Sequence, residues 1–287
     1  MGTKRALFSA IAAVAFTAPV MAADLPAKVY TKAPPVVAPV MSWSGCYVGA
    51  NVGGDWSRAR FDNVNFNSTG FGQGLGAFSP GSAAQFGPEM TNDLKSSGFI
   101  GGGQVGCNFQ SGGFVIGWES DLQYTDLSST LVISSIRPSS PSTETLTESF
   151  KSKWLNTDRV RVGFANGPWL FYATGSLAVA NITYNDGFIF TTGGGTTAGV
   201  PIVSNVSTTR VGWTAGVGAE WMISGNWSVK GEYLYVDLGK TSTVASAANG
   251  GNNAFPLAFF TLDHHLTENI VRVGVNYHFS GPVVAKY

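Results

Sequence analysis

The last part of the chain alternates strictly between apolar and polar side chains. In the segment 268–279 one parity holds only apolar residues and ends in aromatics: Val271, Val273, Val275, Tyr277 and Phe279. The other parity holds Arg272, Gly274, Asn276 and His278. Successive side chains of a β-strand point to opposite faces, so the two sets lie on opposite faces of one strand. This pattern is typical of a strand with lipid on one side and a polar interior on the other.

The same alternation recurs along the chain and predicts eight strands. They lie at about 43–57, 97–110, 114–127, 153–166, 169–184, 208–223, 227–240 and 268–279. Short connections with strong turn residues occur at 110–113, 165–168 and 224–226. Long connections rich in Gly, Ser, Thr, Asn and Pro occur at about 58–96, 128–152, 185–207 and 241–267. The sequence therefore predicts an all-β fold, an eight-stranded antiparallel transmembrane β-barrel with short periplasmic turns and long extracellular loops. The loops could also extend the strands as hairpins, and 58–96 could hold an extra strand pair.

Alternation alone does not decide which face of each strand lies inside, because a soluble barrel turns its apolar face inward. The polar parity here has few charges and many glycines, which suit a narrow interior better than a solvated exterior. The apolar parity places Trp, Tyr and Phe near the strand ends, where membrane proteins carry interfacial aromatics. We therefore predict that the apolar parity faces lipid. In the less regular segment 169–184, the expected outward residues are Phe171, Leu177 and Val179, and the alternation in 43–57 is ambiguous.

The first 42 residues predict export followed by a linker. Residues 1–23 combine a basic start, an apolar stretch and small residues near Ala22, as in a cleaved signal peptide. The alternative is a short membrane anchor. No other segment approaches the roughly 18 uninterrupted apolar residues of a spanning helix. Residues 24–42 are rich in proline and predict an extended periplasmic leader, a spacer or a contact with cell-wall material. The barrel then occupies 43–279, with a tail at 280–287.

Composition narrows the class of protein further. Charged residues make up 12% of the chain, about half the usual fraction of soluble proteins. The formal net charge is zero, which gives no reason to expect a nucleic-acid partner. A soluble domain with so few charges would be poorly dispersed in water.

Cys46 and Cys107 are the only cysteines of the chain. Each lies about three residues from the periplasmic end of its predicted strand, on the outward parity of neighbouring antiparallel strands. Export places both residues in an oxidising compartment, where disulfides form. We predict a cross-strand Cys46–Cys107 disulfide. The alternative is a pair of small buried thiols.

The inward parity collects four acidic and four basic side chains. They are Glu119, Asp121, Arg159, Arg161, Glu220, Lys230, Glu232 and Arg272. Buried charges must pair, because an isolated charge in a low dielectric is very costly. The set could form a salt-bridged plug or line an ion-selective pore. An eight-stranded barrel is just wide enough for side chains to fill, which favours the plug.

Two other motifs carry little functional weight. Gly101, Gly103 and Gly106 match the spacing of a dinucleotide-binding loop, but they lie within a predicted strand and no helix pattern follows. His264 and His265 could ligate a metal or serve a lipid-modifying enzyme. No Ser or acid is placed by spacing to work with them, so we interpret them as a polar loop pair. The sequence predicts no catalytic, metal or cofactor site.

Several segments carry a family resemblance across the mature chain. They are Ala23–Pro26, Trp43–Gly54, Gly102–Gly106, Glu232–Gly239 and Val271–Phe279. In order and spacing the chain resembles the small outer-membrane β-barrel proteins of alphaproteobacteria, the RopB-like porin-family group. The resemblance implies an eight-stranded barrel like the membrane domain of OmpA, an envelope or surface role and no established enzymatic activity. Val275, Tyr277 and Phe279 would form the aromatic-ended signal for the outer-membrane assembly machinery, although Ser280 to Tyr287 follow it.

These observations favour a structural and surface protein of the bacterial outer membrane. Its partners would be membrane lipids, including lipopolysaccharide, and the outer-membrane assembly machinery, with any surface ligand bound by the long loops. A small-solute channel is the alternative function. A lipid-modifying enzyme is the third.

Overall fold

The computed structural model describes residues 41–66, 87–136, 143–191, 201–247 and 259–279. Within these ranges, the chain forms β1 (Gly45–Phe66), β2 (Asn92–Ser111), β3 (Phe114–Ile136), β4 (Thr143–Asn166), β5 (Trp169–Thr191), β6 (Ile202–Ser224), β7 (Trp227–Ala247) and β8 (Phe259–His278). A short helical turn occupies 87–89. Each strand pairs antiparallel with its neighbours, and β8 pairs with β1 to close the barrel. The predicted eight-stranded antiparallel barrel is confirmed.

Three predictions fall mainly outside the described residues. They concern the signal at 1–23, the leader at 24–42, of which only the last two residues are described, and the tail at 280–287. Among the described residues, no helix has both the length and the apolar character needed to cross a membrane.

The three short connections form as predicted. They join β2 to β3, β4 to β5 and β6 to β7, and each contains a glycine with a positive φ: Gly112 at 60°, Gly167 at 58° and Gly225 at 54°. Glycine suits these positions because its lack of a Cβ removes the steric cost of the left-handed region. We call this end of the barrel the turn side, and the opposite end the loop side.

The strands continue farther toward the loop side than the sequence indicated. The connections predicted at 58–96, 128–152, 185–207 and 241–267 were too long. Strand β1 runs to Phe66, and its extension pairs with the start of β2, as in Arg58 opposite Lys95. Strand β8 begins at Phe259, so His264 and His265 lie in a strand and their assignment to a loop was wrong. The boundary was missed because the alternation continues there with its polarity reversed.

On the turn side of the barrel, the apolar parity points outward on every strand. Val160 is 52% exposed and Val273 is 57% exposed, so neither packs in the interior. The expected outward residues Phe171 and Leu177 are exposed as well. We call this band the apolar belt: 48–56, 99–109, 114–124, 154–164, 169–179, 211–223, 227–235 and 271–279. Its height of about 9–13 residues matches what a tilted strand needs to cross a bilayer.

On the loop side, beyond the belt, the polarity of the two faces is exchanged. Inward positions there form an apolar core that includes Phe61, Ile100, Leu127, Phe150, Tyr184, Phe260, Leu262 and Leu266. Outward positions are mainly Ser, Thr, Asn, Lys, Arg and Asp. Burial of apolar side chains away from water is favourable, and on this part of the barrel the interior is the side that excludes water. The turn-side half of the barrel therefore has an apolar exterior and a polar interior. The loop-side half has a polar exterior and an apolar interior, as a soluble barrel does.

Candidate functional site in the barrel interior

The structure brings the eight predicted interior charges together in the turn-side half of the barrel. None of these residues is more than 5% exposed. We call the set the ion-pair cluster: Glu119, Asp121, Arg159, Arg161, Glu220, Lys230, Glu232 and Arg272. Four carboxylates and four cations are thus enclosed within one ring of strands.

Antiparallel register explains how the strands assemble the cluster. On three pairs of neighbouring strands, an acidic residue lies directly opposite a basic one: Glu119 opposite Arg159, Glu220 opposite Lys230, and Glu232 opposite Arg272. Side chains at directly opposite positions are close enough to interact, and opposite charges there stabilise the strand pair. The alternation that turns these residues inward therefore also pairs them.

Other contacts cross the lumen and join strands that are not neighbours. Arg159 bonds to Glu119 on the adjacent strand, reaches Asp121 Oδ2 at 2.6 Å, and its Nη1 lies 2.9 Å from Glu232 Oε1 on β7. Arg272 Nη2 lies 2.7 Å from Asp121 Oδ2 and 2.6 Å from Glu232 Oε2. Lys230 Nζ donates to both oxygens of Glu119 at 2.7 and 2.9 Å. The cluster therefore ties β3, β4, β7 and β8 together across the interior.

Two tyrosines complete the cluster, and neither was predicted. The Tyr47 hydroxyl donates to Glu119 Oε2 at 2.6 Å and accepts a hydrogen bond from Arg161. The Tyr172 hydroxyl donates to Glu232, and its ring lies 4.1 Å from the Arg161 guanidinium carbon. Both tyrosines belong to the two strands whose alternation was least regular. Their inward parity relative to the outward Val48 and Phe171 is the signal that could have identified them.

An apolar group closes the interior on the turn side of the cluster. Trp43 is 1% exposed and packs edge-on against the His278 ring at 5.7 Å. Its backbone N–H donates to Gln110 Oε1 at 2.6 Å. Trp43 shares a buried apolar cluster with Leu170 and Met222, among others. Trp43, in the described residues 41–44 that precede β1, thus packs into the turn-side end of the barrel.

Two other buried carboxylates lie between the ion-pair cluster and the apolar core. Asp55 and Glu268 are both fully buried, and Thr125 Oγ1 donates to Asp55 Oδ2 at 3.3 Å. Neither oxygen of Glu268 has a hydrogen-bond partner among the described residues. The four-to-four balance of acids and bases therefore holds for the ion-pair cluster and not for the whole interior.

The loop-side core contains a His–Asp–Thr group that the spacing of residues did not indicate. His264 is fully buried, and its Nε2 lies 2.8 Å from Thr243 Oγ1 and 3.2 Å from Asp186 Oδ2. A catalytic triad needs the nucleophile on one ring nitrogen and the orienting acid on the other. Here both partners meet the same nitrogen, and all three residues are at most 2% exposed. His265 faces outward and contacts Asp237 instead. The arrangement packs the core and does not have the geometry of a catalytic triad.

Within the described ranges, no group of three or more His, Cys, Asp or Glu residues could hold a metal ion.

Glu148 is an unusual acid of the loop-side core. It lies on β4 six residues beyond Trp154, outside the apolar belt, and directly opposite Asp186. Asn92 Nδ2 donates to its Oε2 at 3.3 Å. Burial, with a smaller contribution from the nearby Asp186 carboxylate, raises the pKa of Glu148 to about 8 against the opposing effect of the Asn92 hydrogen bond. The Glu148 carboxyl is therefore neutral in the folded barrel at neutral pH.

This raised pKa predicts a pH-dependent stability. In the unfolded chain the Glu148 carboxyl ionises near its usual pKa of about 4.5. The free energy of unfolding should fall as the pH rises from about 4.5 to about 8, because only the unfolded chain then gains from ionisation. A Glu148→Gln variant should be more stable than the wild type at pH 8, by on the order of 4 kcal/mol, and equal to it at pH 4. Urea unfolding at both pH values would measure this. An equal difference at both pH values would contradict the assignment.

The outer wall carries the predicted disulfide. Cys46 and Cys107 lie directly opposite each other on β1 and β2 and are bonded. Both residues are exposed on the outward face near the turn side. The Cys46–Cys107 prediction is confirmed.

Comparisons with known proteins agree with this architecture. Residues 8–279 match the family model of the outer membrane protein beta-barrel domain. The chain is 32% identical over 280 residues to the 31 kDa outer-membrane immunogenic protein of Brucella melitensis biotype 1, covering 96% of this chain and 100% of that protein. It is 28% identical over 247 residues to the 25 kDa outer-membrane immunogenic protein of Brucella abortus biovar 1, covering 86% and 84%. It is 30% identical over 205 residues to the 22 kDa outer membrane protein of Rhizobium leguminosarum bv. viciae, covering 70% and 67%.

These matches confirm the resemblance to alphaproteobacterial outer-membrane barrels, and with it the location in the bacterial outer membrane. The family model spans nearly the whole chain. The strands, apolar belt and polar interior of the protein are those of a membrane barrel. The chain therefore belongs to the outer membrane protein beta-barrel domain family.

Proposed function

We propose that this protein is a structural, non-enzymatic barrel of the outer membrane that presents its loops at the cell surface. The observation that carries this proposal is the ion-pair cluster. Its contacts link strands on opposite sides of the lumen, such as Arg159 on β4 and Glu232 on β7 at 2.9 Å. Side chains that bond to each other across the interior fill it and resist its deformation.

Three successive layers support a closed interior over a small-solute channel. Trp43 and its apolar neighbours lie on the turn side, the ion-pair cluster follows, and the apolar core occupies the loop side. An eight-stranded barrel has room for little more than its own side chains. A conducting path would have to break several buried ion pairs, each costly to open in a low dielectric.

Conductance across a planar bilayer tests the proposal against the channel. The folded protein should show no discrete openings above the leak of a protein-free bilayer, because its interior is occupied at all three levels. A porin of known conductance, inserted under the same conditions, is the positive control. Reproducible single-channel steps that disappear when the sample is boiled before insertion would support the channel instead.

The non-enzymatic part of the proposal is supported by the geometry around His264. The hydroxyl and carboxylate that approach this ring share one nitrogen and are buried from substrate.

The assembly signal that the sequence predicts also has a suitable position. Val275, Tyr277 and Phe279 all face outward at the turn-side end of β8, and the Phe279 N–H donates to Cys46 O at 2.9 Å. We propose that the assembly machinery binds this edge of the belt.

A further inference from the structure

Most basic side chains outside the ion-pair cluster face outward at one level of the barrel. Six of the seven such residues in the described ranges do so: Arg58, Arg60, Lys95, Lys151, Lys153 and Lys240. Each lies 13 to 16 residues from the turn-side end of its strand. This level is immediately beyond the belt, since Lys153 adjoins Trp154 and Arg58 follows Trp56 by two residues. It corresponds to the headgroup region of the outer leaflet.

Three of these side chains form no salt bridge to another part of the chain that the structure describes. Arg58 bonds to Asp93, whereas Arg60 and Lys240 both approach Asp62. Among the described residues, no carboxylate lies within 4.0 Å of the remaining three, Lys95, Lys151 and Lys153. We call these the lysine patch.

The lysine patch spans three adjacent strands. Ser96 and Ser128 bond to each other across β2 and β3, and Ser128 lies directly opposite Lys151 on β4. Lys95 and Lys151 are therefore two strand spacings apart, about 10 Å. The outward carboxylate of Asp126 on β3 lies beside them, and Asp93, which pairs with Arg58, also faces outward near Lys95. Basic side chains still outnumber acidic ones here, because Arg58 and the three lysines face Asp93 and Asp126. Such a surface suits an anion with more than one charged group.

A groove in the apolar belt begins directly below the patch. Gly101, Tyr124 and Trp154 lie opposite one another on β2, β3 and β4. Because Gly101 has no side chain, the wall is indented on the β2 side of Tyr124, where the Phe99 ring packs over the glycine. The resulting groove has a volume of about 700 Å³ and includes Leu122 and Lys153 in its lining. Leu122 also lines a second indentation, with Gly103 and Val105, farther toward the turn side. We call the two together the outer-wall groove.

We propose that the lysine patch binds the anionic headgroup of lipid A while one of its acyl chains lies in the outer-wall groove. The groove exposes mainly apolar surface and runs into the belt, as an acyl chain requires. Ser120 and Asn156 are among the polar residues that line its turn-side part, and Lys153 lies at its loop-side end. A glycerophospholipid with one phosphate would engage a single lysine, whereas lipid A carries anionic groups on two linked sugars. The patch is therefore matched to lipid A by charge and by width. This inference goes beyond the structural role and does not depend on whether the barrel conducts.

Titration of the folded full-length processed protein in detergent with purified bis-phosphorylated lipid A tests the proposal. Near a membrane surface each lysine contributes about 1 kcal/mol to the binding of anionic lipid, so the Lys151→Gln/Lys153→Gln variant should bind about 30-fold more weakly. Gly103→Leu should also weaken binding, because it fills the groove. A Cβ at this position would come no closer than 3.8 Å to another atom, so the backbone has room for a side chain that points outward. Lys240→Gln, at the same level but away from the groove, is the matched control and should bind as the wild type does.

Gel mobility with and without boiling shows that each variant retains the folded barrel. Dephosphorylated lipid A should bind the wild type and the Lys151→Gln/Lys153→Gln variant equally, and phosphatidylglycerol should bind more weakly than lipid A. The proposal is overturned if the double variant keeps wild-type affinity, if Lys240→Gln weakens binding as much, or if phosphatidylglycerol binds as tightly as lipid A. None of these outcomes depends on conductance, so the titration tests the lipid site independently of the proposed structural role.

Discussion

Replacing Arg159 with Met is expected to lower the free energy of unfolding by about 3–5 kcal/mol. Arg159 is 1% exposed and contacts Glu119, Asp121 and Glu232. Methionine has a side chain of similar length but no charge, so the substitution leaves three buried carboxylates with one fewer cation. An uncompensated buried charge costs far more than the pair contributes, which is why loss of one partner is so destabilising.

A matched control exists on the outer wall. Arg58 forms an ion pair with Asp93, but its side chain is 55% exposed, so Arg58→Met should change the free energy of unfolding far less than Arg159→Met does. Urea unfolding from lipid vesicles, followed by tryptophan fluorescence, would measure both variants. Adding Glu119→Gln to Arg159→Met should recover part of the loss, because it removes one of the unpaired carboxylates. A loss no larger for Arg159→Met than for Arg58→Met would show that the cluster does not stabilise the barrel.

Removing the disulfide should have an effect of similar size. Cys46 and Cys107 are 61 residues apart in sequence, and closing a loop of this length restricts the unfolded chain. In the chain-entropy description, the bond contributes about 4 kcal/mol. The Cys46→Ala/Cys107→Ala variant should therefore unfold at a distinctly lower urea concentration than the oxidised wild type. The strands themselves should be unaffected, since both side chains lie on the outer wall and fill no part of the interior.

Reducing agent provides the internal control for the disulfide. It should lower the stability of the wild type to nearly that of the double alanine variant and leave the variant unchanged. A wild type whose stability is unchanged by reduction would contradict the predicted contribution of the bond.

The two-residue period was sufficient to predict the main features of the barrel. Residues such as Val160 and Arg159 differ by one position, and the alternation alone places one in the belt and the other in the interior. Counting residues from the turns located Cys46 opposite Cys107. The eight interior charges were identified in the same way, because a charged residue flanked by apolar outward neighbours has only the interior to face.

Other features of the interior depended on which strands become neighbours. Tyr47 and Tyr172 join the ion-pair cluster from strands far apart in sequence, and each lies in a segment with irregular alternation. His264 meets Asp186 and Thr243 from three different strands. No spacing along the chain relates these residues, because their proximity arises from closure of the barrel.

The alternation of side chains determined the strands, their faces and the presence of a membrane-facing belt, since each depends only on neighbouring positions along one strand. The height at which the faces exchange polarity, and hence the true length of the strands, became evident only in the closed barrel. An outward position is apolar beside lipid and polar beside water. The same alternation therefore places apolar residues outside on the turn side and inside on the loop side. Which charges meet across the lumen was likewise decided by register and closure, because these bring together residues from opposite ends of the chain.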